Sequence, residues 1–303
     1  MASTPTDRTV PGTSGTSGSS GSSGTSGTSG TSDLSDASDA SDGSDAVNQS
    51  GPPTFVVTDA VATITLNRPQ HRNRLHNEDL ALLLEYFGRI DADPAIHVAV
   101  LTGRVLQPRP VFCAGYHIGE FGQARQPEVS FERVADGLER LRPITICALP
   151  GSVYGGATDL ALACDFRLGV QGMEMHMPAG ALGMHYYPSG MQRYVSRMGL
   201  AAAKKAFLSA LPFSAEDLLR VGYLDELWPP DELSSAVVAL CARICALAPL
   251  AIQDMKRSLN EIARGEYDST TLLERERKSK ATADFAEGRA AFFERRPARF
   301  QGR

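Results

Sequence analysis

The residues with the most chemistry within reach of one another lie in the stretch Gly155-Gly156-Ala157-Thr158-Asp159. A β-prone run over residues 144–149 leads into the two glycines and a helical pattern follows, which predicts a strand, a tight turn and a helix start. Glycine at such a junction lets the backbone approach a ligand closely, because no Cβ intervenes. The first amides of a helix have no partner inside it and point at whatever lies in front, and an anionic oxygen is the natural guest. Asp159 adds a carboxylate in the first turn, a candidate for moving a proton beside that oxygen. Taken alone, the double glycine also reads as an ordinary turn, and Asp159 as a carboxylate favoured by the helix dipole.

The rest of the chain must supply the elements that position this stretch. Paired strands are predicted over residues 55–58 and 61–66, then a helix over 75–90 with Leu80, Leu83, Leu84 and Phe87 on one side, then a buried strand over 97–101. A loop with Pro108 and Pro110 leads to Phe112-Cys113-Ala114-Gly115-Tyr116-His117. A helix over 134–141 precedes the strand at 144–149, and a further strand at 166–170 follows the glycine helix. This alternation argues for an α/β core. From Gly190 onward helical spacing dominates, over 192–198, 201–208, 215–221, 232–247, 252–263 and 271–293, with Pro212, Pro229, Pro230 and Pro249 as breakers. The expected organisation is a disordered Gly/Ser/Thr/Asp-rich tail at 1–50, an α/β core at 51–198 and a helical C-terminal region at 199–303.

Composition narrows the function classes. Of 303 residues 42% are hydrophobic, which supports a full core. The net charge of −5 resides in the tail, where one arginine faces six aspartates; the balanced remainder carries no bias toward nucleic acid. There is no run of about twenty apolar residues, so no membrane span is expected, and no apolar signal-peptide core stands near the start. Five cysteines without a Cys-x-x-Cys pair fit reduced thiols and a cytoplasmic setting. Cys241 and Cys245 alone fall short of a metal site, and no metal is expected.

Over roughly residues 54–303 the chain resembles the enoyl-CoA hydratase/isomerase (crotonase) superfamily. The marks run in order: Asn67-Arg68-Pro69 through Asn73-Arg74-Leu75, Phe112-Cys113-Ala114-Gly115, Gly155-Gly156, Cys164-Asp165, Leu182-Gly183 and Gln192-Arg193. The closing set is Asp284-Phe285, Glu287-Gly288 and Phe292-Phe293-Glu294-Arg295-Arg296. Each is weak alone, and the ordered set is specific. The resemblance implies a crotonase-like spiral of ββα units with a helical C-terminal trimerisation region, assembled as a homotrimer or hexamer. It implies an acyl-CoA substrate, or an acyl thioester on a carrier, with coenzyme A entering as part of the substrate and no separate cofactor.

The resemblance also implies an oxyanion hole built from the amides of Ala114 and Gly156, holding the thioester oxygen as it becomes an enolate. The family's hydratases use two glutamates. The first falls on Asp159 and the second on Ala179, after Pro178, and alanine cannot transfer a proton. A single acid suits double-bond isomerisation, or hydratase/dehydratase chemistry resting on Asp159 alone. Thioester hydrolysis, decarboxylation, and acyl-CoA binding without turnover are the alternatives on the same fold. For substrate contacts the resemblance points to Tyr116 and His117 in the first loop, and to His185, Tyr186 and Tyr187 at the acyl pocket. It also points to Arg68 near the CoA phosphates, and to Phe292 and Arg295 reaching a neighbouring subunit's CoA. Each of these also reads as a packing or surface residue.

Overall fold

The computed structural model describes residues 50–117, 119 and 129–303. The tail predicted to be disordered lies outside the described residues, apart from Ser50. Order begins with an antiparallel pair, β1 (Thr54–Thr58) and β2 (Val61–Leu66), followed by α1 (Asn77–Ala92). Three segments then repeat one plan of long strand, short strand and helix. They are β3 (Val98–Gly103), β4 (Val111–Cys113) and α2 (Phe131–Arg140); β5 (Ile144–Leu149), β6 (Ser152–Tyr154) and α3 (Gly156–Leu162); and β7 (Phe166–Val170), β8 (Glu174–His176) and α4 (Pro188–Lys204). This is the ββα spiral that the sequence resemblance implies. The chain closes with β9 (Phe213–Ser214), α5 (Ala215–Arg220), β10 (Glu226–Trp228), α6 (Leu233–Cys245), α7 (Pro249–Arg264), α8 (Ser269–Lys280) and α9 (Ala283–Glu294).

The long strands form a six-stranded sheet in the order β1-β2-β3-β5-β7-β10, and the short ones a four-stranded sheet in the order β4-β6-β8-β9. Burial follows strand position. In β2 every second residue, Ala62, Ile64 and Leu66, is buried, as expected when one face of a strand is covered. The central strand β5 is buried along its whole length, as a parallel strand covered on both faces must be. Against this sheet α1 turns Leu80, Leu83, Phe87 and Ile90 inward, each contributing about 1.5–3 kcal/mol of burial. Its start is fixed by His76 and Asp79, whose side chains bond each other's backbone amides.

The C-terminal region is helical as expected and also carries two short strands: β9 pairs with β8 and β10 with β7, so residues beyond 199 extend both sheets. One expectation needs correction. The helix predicted over 271–293 is two helices, α8 and α9, because Thr282 stops the first and caps the second, accepting the Phe285 N–H on its hydroxyl. A buried ammonium docks the region on the core: Lys256 of α7 donates to Pro143 O and to Asp165 Oδ2, both at 2.7 Å. Among the described residues no single helix is long and apolar enough to cross a membrane.

Candidate active site

The short sheet explains why two distant glycine-bearing loops meet. β4 and β6 are parallel neighbours, so the chain leaves both at the same edge, and strand carboxyl ends are where ligands gather in such sheets. Ala114-Gly115 follows β4 and Gly155-Gly156 follows β6. Gly115 has φ +87°, and a Cβ there would lie 2.9 Å from Gly156 N and 2.9 Å from Tyr154 O. Both the backbone angle and the contact demand glycine. On the other loop, Gly155 donates its N–H to His176 O at 2.9 Å, while Gly156 opens α3 with its amide among the unpaired first-turn donors. The ring of Phe131, from α2, covers the other side of Gly156, where a Cβ would sit 2.9 Å from it.

The partner amide predicted from the sequence is displaced. Ala114 N–H donates to Arg72 O at 2.8 Å, so the fold already uses it and it cannot also grip a substrate oxygen. The neighbouring register shows which amide turns the other way. Leu75 N–H donates to Gly115 O and His117 N–H donates to Leu75 O, each at 2.9 Å, in a parallel bridge centred on Tyr116. In such a bridge the central residue's own N–H faces away from the partner segment.

Asp159, one turn along α3 from Gly156, is fully enclosed, with 0% exposure. Arg193 of α4 forks onto it, Nε to Oδ1 at 2.9 Å and Nη2 to Oδ2 at 2.7 Å, and Tyr187 Oη–H donates to Oδ2 at 2.5 Å. The direct proton shuttle expected of Asp159 is therefore corrected: its oxygens are covered by an arginine and a tyrosine. Arg193 reaches further, with Nη1 at 2.9 Å from Asp136 Oδ1 and 3.4 Å from Glu139 Oε2, and Glu139 also meets Arg264 at 3.4 Å. Burial pulls the Arg193 pKa down, but the hydrogen bonds and charges of Asp159, Asp136 and Glu139 outweigh it and hold it above the ordinary guanidinium value.

The remaining predicted residues divide. Ala179 is buried at 2% exposure and leaves the second acid's position apolar. Tyr186 is buried and stacks on Tyr187 with ring centroids 4.2 Å apart, its hydroxyl donating to Tyr187 Oη at 3.1 Å. Burial first, then the Asp159 charge, pushes both phenols above their usual pKa. Tyr116 sets its hydroxyl on Asn77 Oδ1 and its ring 6.3 Å from Phe131. The His117 ring tilts against His76 at 4.7 Å, and His185 is exposed, its Nδ1 2.8 Å from Tyr186 O.

Arg68 does not present itself to a phosphate. Its guanidinium is bound by Asp79 at 2.9 Å and Glu78 at 2.5 Å, and two carboxylates oppose a further anion there. Phe292 and Arg295 lie at the end of α9 and just beyond it, and Phe292 is 80% exposed. Sequence reasoning passed over the Asp136–Glu139–Arg193 cluster, whose only trace was the Gln192-Arg193 pair. It also missed Glu132, whose Oε1 accepts from Ser189 Oγ at 3.3 Å across the first turns of α2 and α4. Among the described residues no group of His, Cys, Asp or Glu is placed to hold a metal.

A sequence profile described as enoyl-CoA hydratase/isomerase matches residues 57–303. The chain belongs to the enoyl-CoA hydratase/isomerase family. Within this family of acyl-CoA enzymes it is 30% identical over 256 residues or more to relatives such as (E)-benzylidenesuccinyl-CoA hydratase of Thauera aromatica, aligned over 83% of this chain and 99% of that one. It is 27% identical to the short-chain-enoyl-CoA hydratase of Clostridium acetobutylicum, over 78% of this chain and 92% of the relative. The crystal structure of an enoyl-CoA hydratase from Bacillus anthracis superposes with a TM-score of 0.74 at 25% identity, covering 84% of this chain and all of that one.

Proposed function

We propose that this family member acts on an acyl-CoA through an enolate, and that it relocates a proton, as in double-bond isomerisation, without adding water by a two-acid route. The thioester oxygen sits between the Gly156 N–H and the Tyr116 N–H, the amide directed away from Leu75. Two such donors stabilise charge only as it develops, which lowers the barrier to enolate formation. The observation that carries this reading is the close approach of the Gly115 loop to Gly156 N, so close that a Cβ on Gly115 would lie 2.9 Å from it. Hydration by paired acids lacks its second member, because buried Ala179 stands in its place.

A second reading, decarboxylation of a malonyl-type thioester, is favoured by the enclosure of Asp159: loss of carbon dioxide makes the same enolate with no base. We further propose a homotrimer or hexamer, since Met255, Leu259, Phe292 and Phe293 leave a broad apolar surface on α7 and α9. In that assembly Phe292 and Arg295 stand over a neighbour's CoA.

The test is mass analysis of 3-enoyl-, 2-enoyl- and malonyl-type CoA thioesters incubated with the protein in deuterated water. Isomerisation appears as conversion of the 3-enoyl into the 2-enoyl thioester, separated from it by chromatography, with no added water. Addition of one water to the 2-enoyl thioester as the main reaction overturns the reading, and carbon dioxide loss selects the second one.

A further inference from the structure

Asp159 has a carboxylate in the right turn of the right helix and no exposed surface. Gly156 and Asp159 are three residues apart on α3, hence on one face and about 4.5 Å apart along its axis. Whatever is held at Gly156 therefore faces the Asp159 side chain, yet Tyr187 stands over Oδ2 and Arg193 takes the remaining approach. Tyr187 itself is half-buried and so still presents surface. Its hydroxyl gives its hydrogen to Asp159 and accepts one from Tyr186, and a phenolic oxygen so engaged keeps further accepting capacity.

We propose that Tyr187 is the catalytic residue that touches the acyl chain, and that it relays the proton between substrate carbon and the enclosed Asp159. This rests on the enolate reading above. In the forward step the Cα–H bond of the thioester breaks and its proton goes to Tyr187 Oη, while the hydrogen already on Oη passes to Asp159 Oδ2. The electron pair of the broken bond moves onto the thioester oxygen. In the reverse step Asp159 returns the proton to Oη and the Oη hydrogen goes to the γ-carbon, so the enzyme ends as it began and the double bond has moved. Tyr187 never stands as a free phenolate, in keeping with the burial and the adjacent carboxylate that oppose its ionisation. Arg193 and Tyr186 are positioning residues: the first fixes the carboxylate and the second orients the Tyr187 lone pairs.

Tyr187→Phe tests this, because it keeps the ring that stacks on Tyr186 and removes only the relay oxygen. The probe is 3-hexenoyl-CoA deuterated at Cα, followed by isomerisation and by departure of deuterium from Cα, which the relay delivers to the γ-carbon. The relay predicts a fall in kcat of about 100-fold or more, with KM and the melting temperature close to wild type. Retention of kcat within about threefold overturns the relay and leaves the enolate reading standing. Deuterium that stays at Cα in the wild-type protein overturns both. If the variant does not fold, the solvent isotope effect on deuterium loss by the wild-type protein decides. A relay puts the exchangeable Tyr187 hydrogen in flight and gives a normal effect, whereas direct abstraction by a carboxylate gives none and overturns the proposal.

Discussion

Replacing Arg193 with methionine removes one guanidinium from three carboxylates, and the three do not suffer equally. Glu139 keeps Arg264 at 3.4 Å, and Asp136 keeps Arg140 at 3.7 Å together with partial access to water. Asp159 has neither: at 0% exposure, among the described residues it retains only the Tyr187 hydroxyl. Leaving one buried charge unpaired costs about 3–5 kcal/mol. For a folded body of this size each kcal/mol moves the melting temperature by roughly 2–4 °C, so Arg193→Met should melt about 6–20 °C below wild type. Calorimetry or circular dichroism at neutral pH reads this directly. Adding Asp159→Asn should recover most of the loss, since the orphaned charge is then gone and the two sites are in contact. A single variant melting within about 2 °C of wild type, or a double variant lower by the sum of two independent losses, refutes the account of Asp159 as an arginine-clamped carboxylate.

Other consequences are equally concrete. Gly115→Ala places a Cβ 2.9 Å from Gly156 N at φ +87°; about 1–3 kcal/mol of strain and a large loss of kcat are expected, by melting and by turnover. Cys113 is buried, which pushes its thiol up to about 12. Native protein at pH 8 should leave it unlabelled by a disulfide reagent that reacts with it after denaturation, and rapid native labelling contradicts the burial. Glu287 is bound by Arg296 and by the Arg299 amide, which hold its carboxyl down at about 2. Its contribution is thus present above the ordinary carboxyl value near 4.3 and lost as pH falls through about 2. An NMR titration with a midpoint near the ordinary value contradicts that arrangement.

Much of this could be read before any coordinates. The strands over residues 144–149 and 166–170 fall where their mostly apolar runs say, interrupted only by Thr145 and Arg167, because a strand covered on both faces leaves a plain signal. β6 and β8 left none: three residues carry no periodicity, and these strands are held by neighbouring strands that complete their hydrogen bonds. The same limit misdirected the oxyanion assignment. Whether the Ala114 or the Tyr116 amide is taken up by the segment around Arg72 to Leu75, some forty residues earlier, depends on register with that segment. Asp159 was visible as a first-turn acid, but the Arg193 fork crosses 34 positions and no local pattern encodes it. Arg68 misled for the reverse reason, its acids being on the following helix.

The central claim is geometric, and one structure tests it most directly. In a crystal of the protein with acetoacetyl-CoA, the thioester oxygen should lie about 3 Å from both the Gly156 and the Tyr116 nitrogens. An oxygen bound away from Gly156, or held at the Ala114 nitrogen in place of Tyr116, contradicts it.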